Sequence, residues 1–511
     1  MFPYPPFNSL LKQNLYQYYL GLFCISIVIL MVLLSHFYFQ QIGDDGYIYF
    51  RYVERALNGA FGSWSDGIEP VEGYSSPLWY GLLIILTYLL GDVVVSAQVL
   101  GLIFSFITVF LLYQLSIQLG ASSLRALLTC VVFILIEGFH YWSTSGLETA
   151  FYIAVFLATT SALIVDRYVL FMLSILLFAR PEGVFLAPLL FLCYWLVKPN
   201  KRNLLALMIF SCVFVFGLCL RWICYESLLP NTFYAKASAG SINQLIRGTI
   251  YCLPILFMFL WLWFCQWISP KQSHLIALGA ASWLLAIVIG GGGDWMLHFR
   301  LLLPILAVML AILMAKSFSS KLMIAASIMV TLPITLLMIS PQQFMMALQG
   351  KQLPIVFYQE GSMTHESKTL AKKIEARYRK LPLKIAVNHA GALPFWLKEH
   401  QFIDMVGLNN KVIARTVGEL HAKYAVGYVL AQKPDLVILN TRQEPTQLAP
   451  YQTGYWIGET ALFEHEDFQQ FYRFSGLFVK WHWQIAWPYH LIYPGYPTSW
   501  ILVYERINHV E

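Results

Sequence analysis

Residues 43–79 read GDDGYIYFRYVERALNGAFGSWSDGIEPVEGYSSPLW. An apolar run from Tyr18 to Phe39 precedes them, and further apolar runs follow to about residue 340. Asp44 and Asp45 therefore stand side by side just past the end of a predicted membrane helix. Two adjacent carboxylates are costly there unless they have work to do. Tyr47, Phe50, Val53 and Leu57 are spaced for one helix face, with Arg51, Glu54 and Arg55 elsewhere. The spacing predicts a short amphipathic helix on the membrane surface, with the carboxylates at its N-terminal end, where anions are favoured. The plainer reading is two N-capping acids, although one would suffice. Residues 69–79, EPVEGYSSPLW, close the loop back onto the bilayer. Glu72 and Tyr74 carry groups that hydrogen-bond sugar hydroxyls. Trp79 is either a stacking platform or, as the better expectation, an interface anchor.

The rest of the chain fits this setting. Of 511 residues, 58% are hydrophobic and 12% charged, against about 25% charged in soluble domains. This composition predicts a polytopic membrane protein. Polar sequence returns near residue 341, so two domains are expected: 1–340 embedded in the membrane and 341–511 soluble, the latter long enough for its own core. The eight cysteines lie in or beside apolar runs and read as packing residues. No Cys/His spacing suggests zinc. The net charge of +6 is spread over membrane loops and does not point to nucleic acid. The first apolar run lacks a small-residue cleavage site and reads as a span, not a cleaved signal peptide.

A spanning helix needs roughly 20 apolar residues. Candidate spans are 18–39, 95–118, 123–139, 147–165, 168–179, 182–197, 203–223, 248–267, 273–290, 300–315 and 322–340. The shorter run 77–90 is expected to be juxtamembrane or re-entrant. With that choice and a cytoplasmic N-terminus, the loops carrying Lys12, Arg125, Arg167, Lys198, Lys201, Arg202, Lys271, Lys316 and Lys321 fall on the cytoplasmic side. About eleven spans result, with the tail outside. Every unusual polar cluster then falls on the outer face.

Those clusters hold the remaining candidates. Glu148 follows HYWSTSGL and begins a helix, where it either compensates the dipole or faces the same chamber as Asp44. Arg180-Pro181-Glu182-Gly183 interrupts two short apolar runs, so Arg180 either snorkels or binds a lipid-linked phosphate. Lys236, in PNTFYAK, is a second phosphate candidate. GGGGDWMLHFR (290–300) brings Asp294, His298 and Arg300 beside a glycine run that is either a flexible turn or an anion-binding backbone. In the tail, a helix at Thr364–Tyr378 and strands at Lys384–Val387, Phe402–Met405, Asp435–Leu439 and Trp500–Tyr504 suggest a small α/β domain with a partly parallel sheet. Asp404 lies near the end of one strand. The aromatic stretch 455–500, with Trp481, Trp483, Trp487, Tyr489, Tyr493 and Tyr496, stacks on sugars or, as the favoured reading, docks the tail.

Taken together, DDGYIYFRYVERALNG from Asp44, VEGYSSPLW from Val71, SGLETAFY from Ser145, RPEG from Arg180, PNTFYAK from Pro230, GGDWM from Gly292 with Phe299-Arg300, and IDMVGLN from Ile403 resemble the polyprenyl-phosphate-sugar-dependent GT-C glycosyltransferases. The resemblance is to the branch of mycobacterial terminal arabinofuranosyltransferases and related pilin-glycosylating enzymes of proteobacteria. It implies a mainly α, polytopic GT-C membrane fold with a C-terminal periplasmic α/β domain. It implies transfer of a sugar, such as arabinofuranose, from a polyprenyl phosphate at the periplasmic face of a bacterial inner membrane. Asp44 or Asp45 takes the catalytic acid role. By matching motif, Arg180, Lys236 and Arg300 become candidates for the donor phosphate, and Glu72, Tyr74, Glu148 and Asp404 for sugar or acceptor. Arg51, Trp79, Glu182, Asn231, Tyr234, Asp294, His298 and Asn409 complete the sugar and acceptor set. The chain departs from the family at Gly46, where Ala is expected, and at Leu297-His298, where a Pro and an aromatic residue are common.

The partners implied are the lipid bilayer, a polyprenyl-phosphate sugar and a glycan, glycolipid or pilin-like acceptor, with no nucleic acid. No cofactor is firmly implied, and the sequence does not decide dependence on a divalent metal. A lipid A or other glycolipid acceptor is one alternative. A lipid-linked sugar transporter or flippase is another. It would predict internal inverted repeats and ionisable groups at the bilayer midplane, whereas the charges here gather at one surface.

Overall fold

A computed structural model describes Ile29, Met31 and residues 42–197, 201–236, 242–294, 296–315, 363–378, 382–418, 422–441, 444–445, 456–481 and 499–507. The helical part holds α1 (Asp44–Leu57), α2 (Pro77–Leu90), α3 (Val93–Gln118), α4 (Ser123–Ile134), α5 (Glu137–Thr144), α6 (Thr149–Val165), α7 (Val169–Ala179), α8 (Pro181–Val197), α9 (Lys201–Tyr225), α10 (Asn231–Lys236), α11 (Ile242–Ile268), α12 (Gln272–Gly290) and α13 (Leu303–Ala315). The last is entered through a 3-10 turn at Leu297–Leu302.

Two expected spans, 18–39 apart from Ile29 and Met31, and 322–340, lie outside the described residues. The other nine coincide with helices. Segments on α3, α9, α11, α12 and His298–Ala315 are long and apolar enough to cross a membrane. The segment expected at 123–139 is instead a pair, α4 and α5, bent by 68°. α6, α7 and α8 are shorter apolar helices, as is α2. At 1.5 Å per residue α2 reaches about 21 Å, short of a hydrocarbon core of about 30 Å. The chain is thus a multi-pass membrane protein by the length and composition of its helices.

Capping chemistry sets the breaks between helices. The Ser76 hydroxyl accepts from Trp79 N (3.1 Å) ahead of Pro77, which opens α2. Gly91 ends α2 at φ 79°, and Asp92 restarts the chain by accepting from Val95 N (2.9 Å). Small residues set the helix seams. A Cβ at Gly101 would lie 1.7 Å from Ser143 O, so only glycine lets α3 meet α5 this closely. Ser105 Oγ then reaches Ser143 Oγ at 2.6 Å. The cysteines divide. Cys130, Cys252 and Cys265 are buried as expected, but Cys212, Cys219 and Cys224 are exposed on α9 and do not pack within the protein.

The tail contains α14 (Met363–Arg377), β1 (Lys384–Val387), α15 (Ala392–Trp396), β2 (Gln401–Asp404), α16 (Lys411–Ala414), α17 (Val426–Ala431), β3 (Leu436–Thr441), α18 (Ile457–Phe463), α19 (Glu466–Phe471), β4 (Tyr472–Trp481) and β5 (Ser499–Arg506). The sheet order is β2-β1-β3-β5-β4, parallel through β3 and antiparallel beyond it. Strand β4 is the addition to the expected set. An irregularity between Phe474 and Phe478, around Gly476 at φ 79°, breaks the alternation that would have marked it. Trp481, expected to stack on sugar or dock the tail, is buried with its ring edge-on to His389. Trp483, Trp487, Tyr489, Tyr493 and Tyr496 lie outside the described residues.

α1 does not lie on a membrane surface. Its outer face is also apolar, with Ile48, Tyr49 and Tyr52 buried along with Phe50 and Val53. The helix is therefore covered on both sides, by α2 below and the tail above. Tyr47 and Phe50 pack on Phe395 of α15, with ring centroids 5.2 and 6.0 Å apart. Lys398 pairs with Glu54 (2.6 Å), and Phe402 N donates to Ser65 Oγ (2.8 Å).

Candidate active site

The two acids of the opening motif have separate tasks. Neighbouring helix residues point about 100° apart, so one turn of α1 aims Asp44 and Asp45 at different partners. Asp44 accepts from Ala392 N (2.7 Å) and Gly391 N (3.1 Å) at the start of α15. A Cβ at Gly391 would fall 1.9 Å from Asp44 O, so the contact requires a glycine. Burial lifts the Asp44 carboxyl to about 7, against the two amide donors that favour its charge. Asp45 instead lines a cleft with Tyr49, Tyr74, Glu148, Lys236 and Arg300. Burial raises its pKa too, while Lys236 and Arg300 pull it down and Asp294 and Glu148 push it up. Gly46 follows them because a Cβ there would sit 2.8 Å from Ser145 O. Glycine in place of the expected Ala is thus a packing requirement at the α1 contact with the 145–146 turn.

Six separate stretches of sequence meet at this cleft: the 44–49 turn, loop 73–75, Leu147-Glu148, α10, Arg300 and Leu408 of the tail. The charges around it are mostly committed. Glu148 takes Arg180 Nη1, and Arg180 also grips Glu182 through Nε (3.1 Å) and Nη2 (3.2 Å). Arg180 is buried with its guanidinium 5.5 Å from the Tyr152 ring, so it neither snorkels nor opens onto the cleft. Arg300 donates through Nε to Asp294 and lies over the Trp142 ring at 5.2 Å. Burial opposes the charge of Asp294, yet Arg300 and Lys236 hold its carboxyl below the usual range. Lys236 is exposed and makes no ion pair among the described residues.

Several expected sugar ligands have structural partners instead. Glu72 is buried in a two-bond pair with Arg221 (2.8 and 3.3 Å). Burial raises its pKa and Arg221 opposes the rise. Arg51 donates to Trp64 O (2.7 Å), Pro394 O and His400 O (3.3 Å), which ties α1 to the tail. Trp79 is neither a platform nor a membrane anchor. It is fully buried, and its indole N–H donates to Gly146 O (3.1 Å). Asp404 accepts from Val406 N, Gly407 N and Asn409 N and from Asn409 Nδ2, which shapes the loop that carries Leu408 to the cleft. Burial raises Asp404 to about 6 against those donors. Asn231 Nδ2 donates to Gly407 O (2.8 Å) and Leu408 O (2.9 Å), and Tyr234 packs under Arg415. His298 is buried beside Tyr141 at φ 57°, a left-handed conformation that carries strain at a non-glycine residue. Tyr74 does line the cleft, with its hydroxyl 2.7 Å from that of Tyr225.

Sequence reasoning missed Tyr49 and Thr232, both in the cleft wall, and Arg221, the partner of Glu72. The spacing of Thr232 and Lys236, four residues apart on α10, was the one available signal. Among the described residues no group of three His, Cys, Asp or Glu side chains converges as a metal-ligand set.

A family model described as a domain of unknown function (DUF8728) matches residues 359–501, within the tail. No curated protein matches. Among solved structures, ArnT from Cupriavidus metallidurans bound to undecaprenyl phosphate aligns at a TM-score of 0.51 and 12% identity, covering 82% of this chain and 92% of that one. The apo form of the same protein aligns at a TM-score of 0.49 and 12% identity, covering 83% and 93%. The likeness is one of fold. It places the chain in the GT-C fold class, mainly helical with a small C-terminal sheet.

Proposed function

We propose that the chain is a membrane glycosyltransferase that moves a sugar from a polyprenyl-phosphate donor to an acceptor at the periplasmic face of a bacterial inner membrane. One observation carries the reading: Asp45 and Lys236 are the acid and the cation left without an ion-pair partner, among the described residues, in a single cleft. Undecaprenyl phosphate in the ArnT structure of the same fold supports a lipid phosphate as donor. The sequence motifs favour arabinofuranose as the sugar and a glycan, glycolipid or pilin-like protein as acceptor.

The chemistry follows from that pair. Asp45 takes the proton of the acceptor hydroxyl, and the resulting oxygen bonds to the anomeric carbon. The bond from that carbon to the phosphate oxygen breaks, and its electron pair goes to the phosphate. Lys236 offsets the growing negative charge, with the Arg300 terminal nitrogens beside it. Burial fits Asp45 to the role, because a carboxyl with a raised pKa is a stronger base than one in water. Arg180 serves the site by fixing Glu148 and does not bind phosphate.

The test is to incubate the purified protein with a panel of polyprenyl-phosphate sugars and an acceptor extract. Transfer from at least one donor is expected, and release or transfer from none sinks the proposal. Reporter fusions after Asn200 and at the C-terminus should report cytoplasm and periplasm respectively. The opposite pattern overturns the orientation.

A pH prediction follows from the same pair. Lys236 is the largest influence lowering the Asp45 pKa. The base works ionised, so activity rises with pH through that pKa. Lys236→Met removes the lowering influence, and the acidic limb of kcat/KM should move to higher pH. A limb that stays in place would mean that Asp45 is not the titrating base.

A further inference from the structure

Two polar atoms in the cleft wall lack a hydrogen-bond partner among the described residues. Glu148 gives Oε1 to Arg180, while Oε2, in a side chain 1% exposed, makes no close hydrogen bond and has the Tyr49 hydroxyl beside the carboxylate. Thr232 is 4% exposed and its Oγ1 is likewise unpaired. Buried polar groups are almost always hydrogen-bonded, and each exception calls for a partner such as a bound ligand, ion or water. Both residues line the same cleft as Asp45 and Lys236.

Each is also held firmly. Asn231, next to Thr232, bonds the Gly407 and Leu408 carbonyls through its side chain and Glu72 O through its backbone N–H (2.9 Å). Glu148 is fixed by Arg180, which Glu182 fixes in turn. Groups locked this way lose little freedom on binding. Thr232 and Lys236 are four residues apart on α10, so their Cβ atoms lie about 5–6 Å apart on one helix face. A phosphate on Lys236 places Thr232 beside the sugar that the phosphate carries.

We propose that Thr232, with Glu148 across the cleft, reads hydroxyl groups of the donor sugar and sets which sugar is accepted. The assignment rests on the donor reading above. Glu148 Oε2 can only accept, which matches a hydroxyl hydrogen, and the Thr232 hydroxyl can give or take. An ammonium group on the sugar would also suit a carboxylate. However, Lys236 and Arg300 line the same cleft and disfavour a third cation there.

The experiment compares wild type, Thr232→Val and Thr232→Ser on the donor that wild type uses, on its monodeoxy analogues and on its amino analogue. Valine keeps the shape and removes the hydroxyl. Thr232→Val should lower kcat/KM for the parent donor by about 10- to 100-fold, with an unchanged melting temperature, and Thr232→Ser should stay near wild type. For one monodeoxy donor, wild type and Thr232→Val should differ by less than about 3-fold, because the lost partner is already absent. A Thr232→Val defect equal on every donor, no defect at all, or better use of the amino analogue overturns the assignment alone. Wild type inactive on every polyprenyl-phosphate sugar overturns the donor reading, and this assignment with it.

Discussion

Asp45→Asn should lower sugar transfer by about 100- to 10,000-fold, the usual contribution of a positioned base, and leave the folded protein intact. Asn keeps the shape of the side chain but cannot take a proton. Asp44→Asn should fail differently. Asp44 presents two oxygens to two amide donors of the tail, Gly391 N and Ala392 N. An amide side chain offers one oxygen and turns an N–H toward the other donor. That mismatch should cost about 1–3 kcal/mol. It should appear as a lower melting temperature and faster proteolysis of the tail, with at least a tenth of the activity retained. Equal loss of activity in both variants, or full activity in Asp45→Asn, would overturn the division of labour. Gly391→Val provides a control. It breaks the same tail contact from the other side, because any side chain there meets the Asp44 backbone. It should therefore resemble Asp44→Asn and not Asp45→Asn.

The helices were legible because each apolar run had to be long enough for its setting and was bounded by capping residues such as Asp92. The convergence of the polar clusters was legible from loop charge alone. Loops sorted to one face by their basic residues do meet in one cleft, as Asp45, Glu148, Lys236 and Arg300 show. What each side chain does there was not legible. Motif spacing shows that Arg180 and Glu148 are near the site, but not that their charges cancel each other. Glu72 read as a sugar ligand because its partner, Arg221, is 149 positions away. The surface position expected for α1 failed for a related reason. Helix periodicity reports one apolar face, that of Tyr47 and Phe50, which needed a tail more than 300 residues distant to cover it, while Tyr49 and Tyr52 on the other face are held by residues 71–80. Asp44 and Asp45 were indistinguishable in sequence and became distinct only when Gly391 arrived beside one of them.

Arg180 and Lys236, two of the three phosphate candidates by motif, should separate on substitution. Arg180→Met leaves Glu148 buried without compensation and takes the partner from the half-buried Glu182. Breaking a buried pair in this way costs about 3–5 kcal/mol, so the variant should yield little monodisperse protein in detergent and a clearly lowered melting temperature. Adding Glu182→Gln to Arg180→Met removes one of the stranded charges and should recover part of the loss, which a phosphate-binding role for Arg180 would not predict. Lys236→Met strands no ion-pair partner and should melt like wild type. Its transfer rate at saturating donor should still fall by about 100- to 1,000-fold, the usual cost of removing one group aimed at developing charge. A well-folded Arg180→Met with donor binding alone impaired would return Arg180 to the phosphate. A fully active Lys236→Met would remove from the mechanism the cleft cation that has no ion-pair partner among the described residues, and with it the reason for reading this cleft as the place where a sugar phosphate is cleaved.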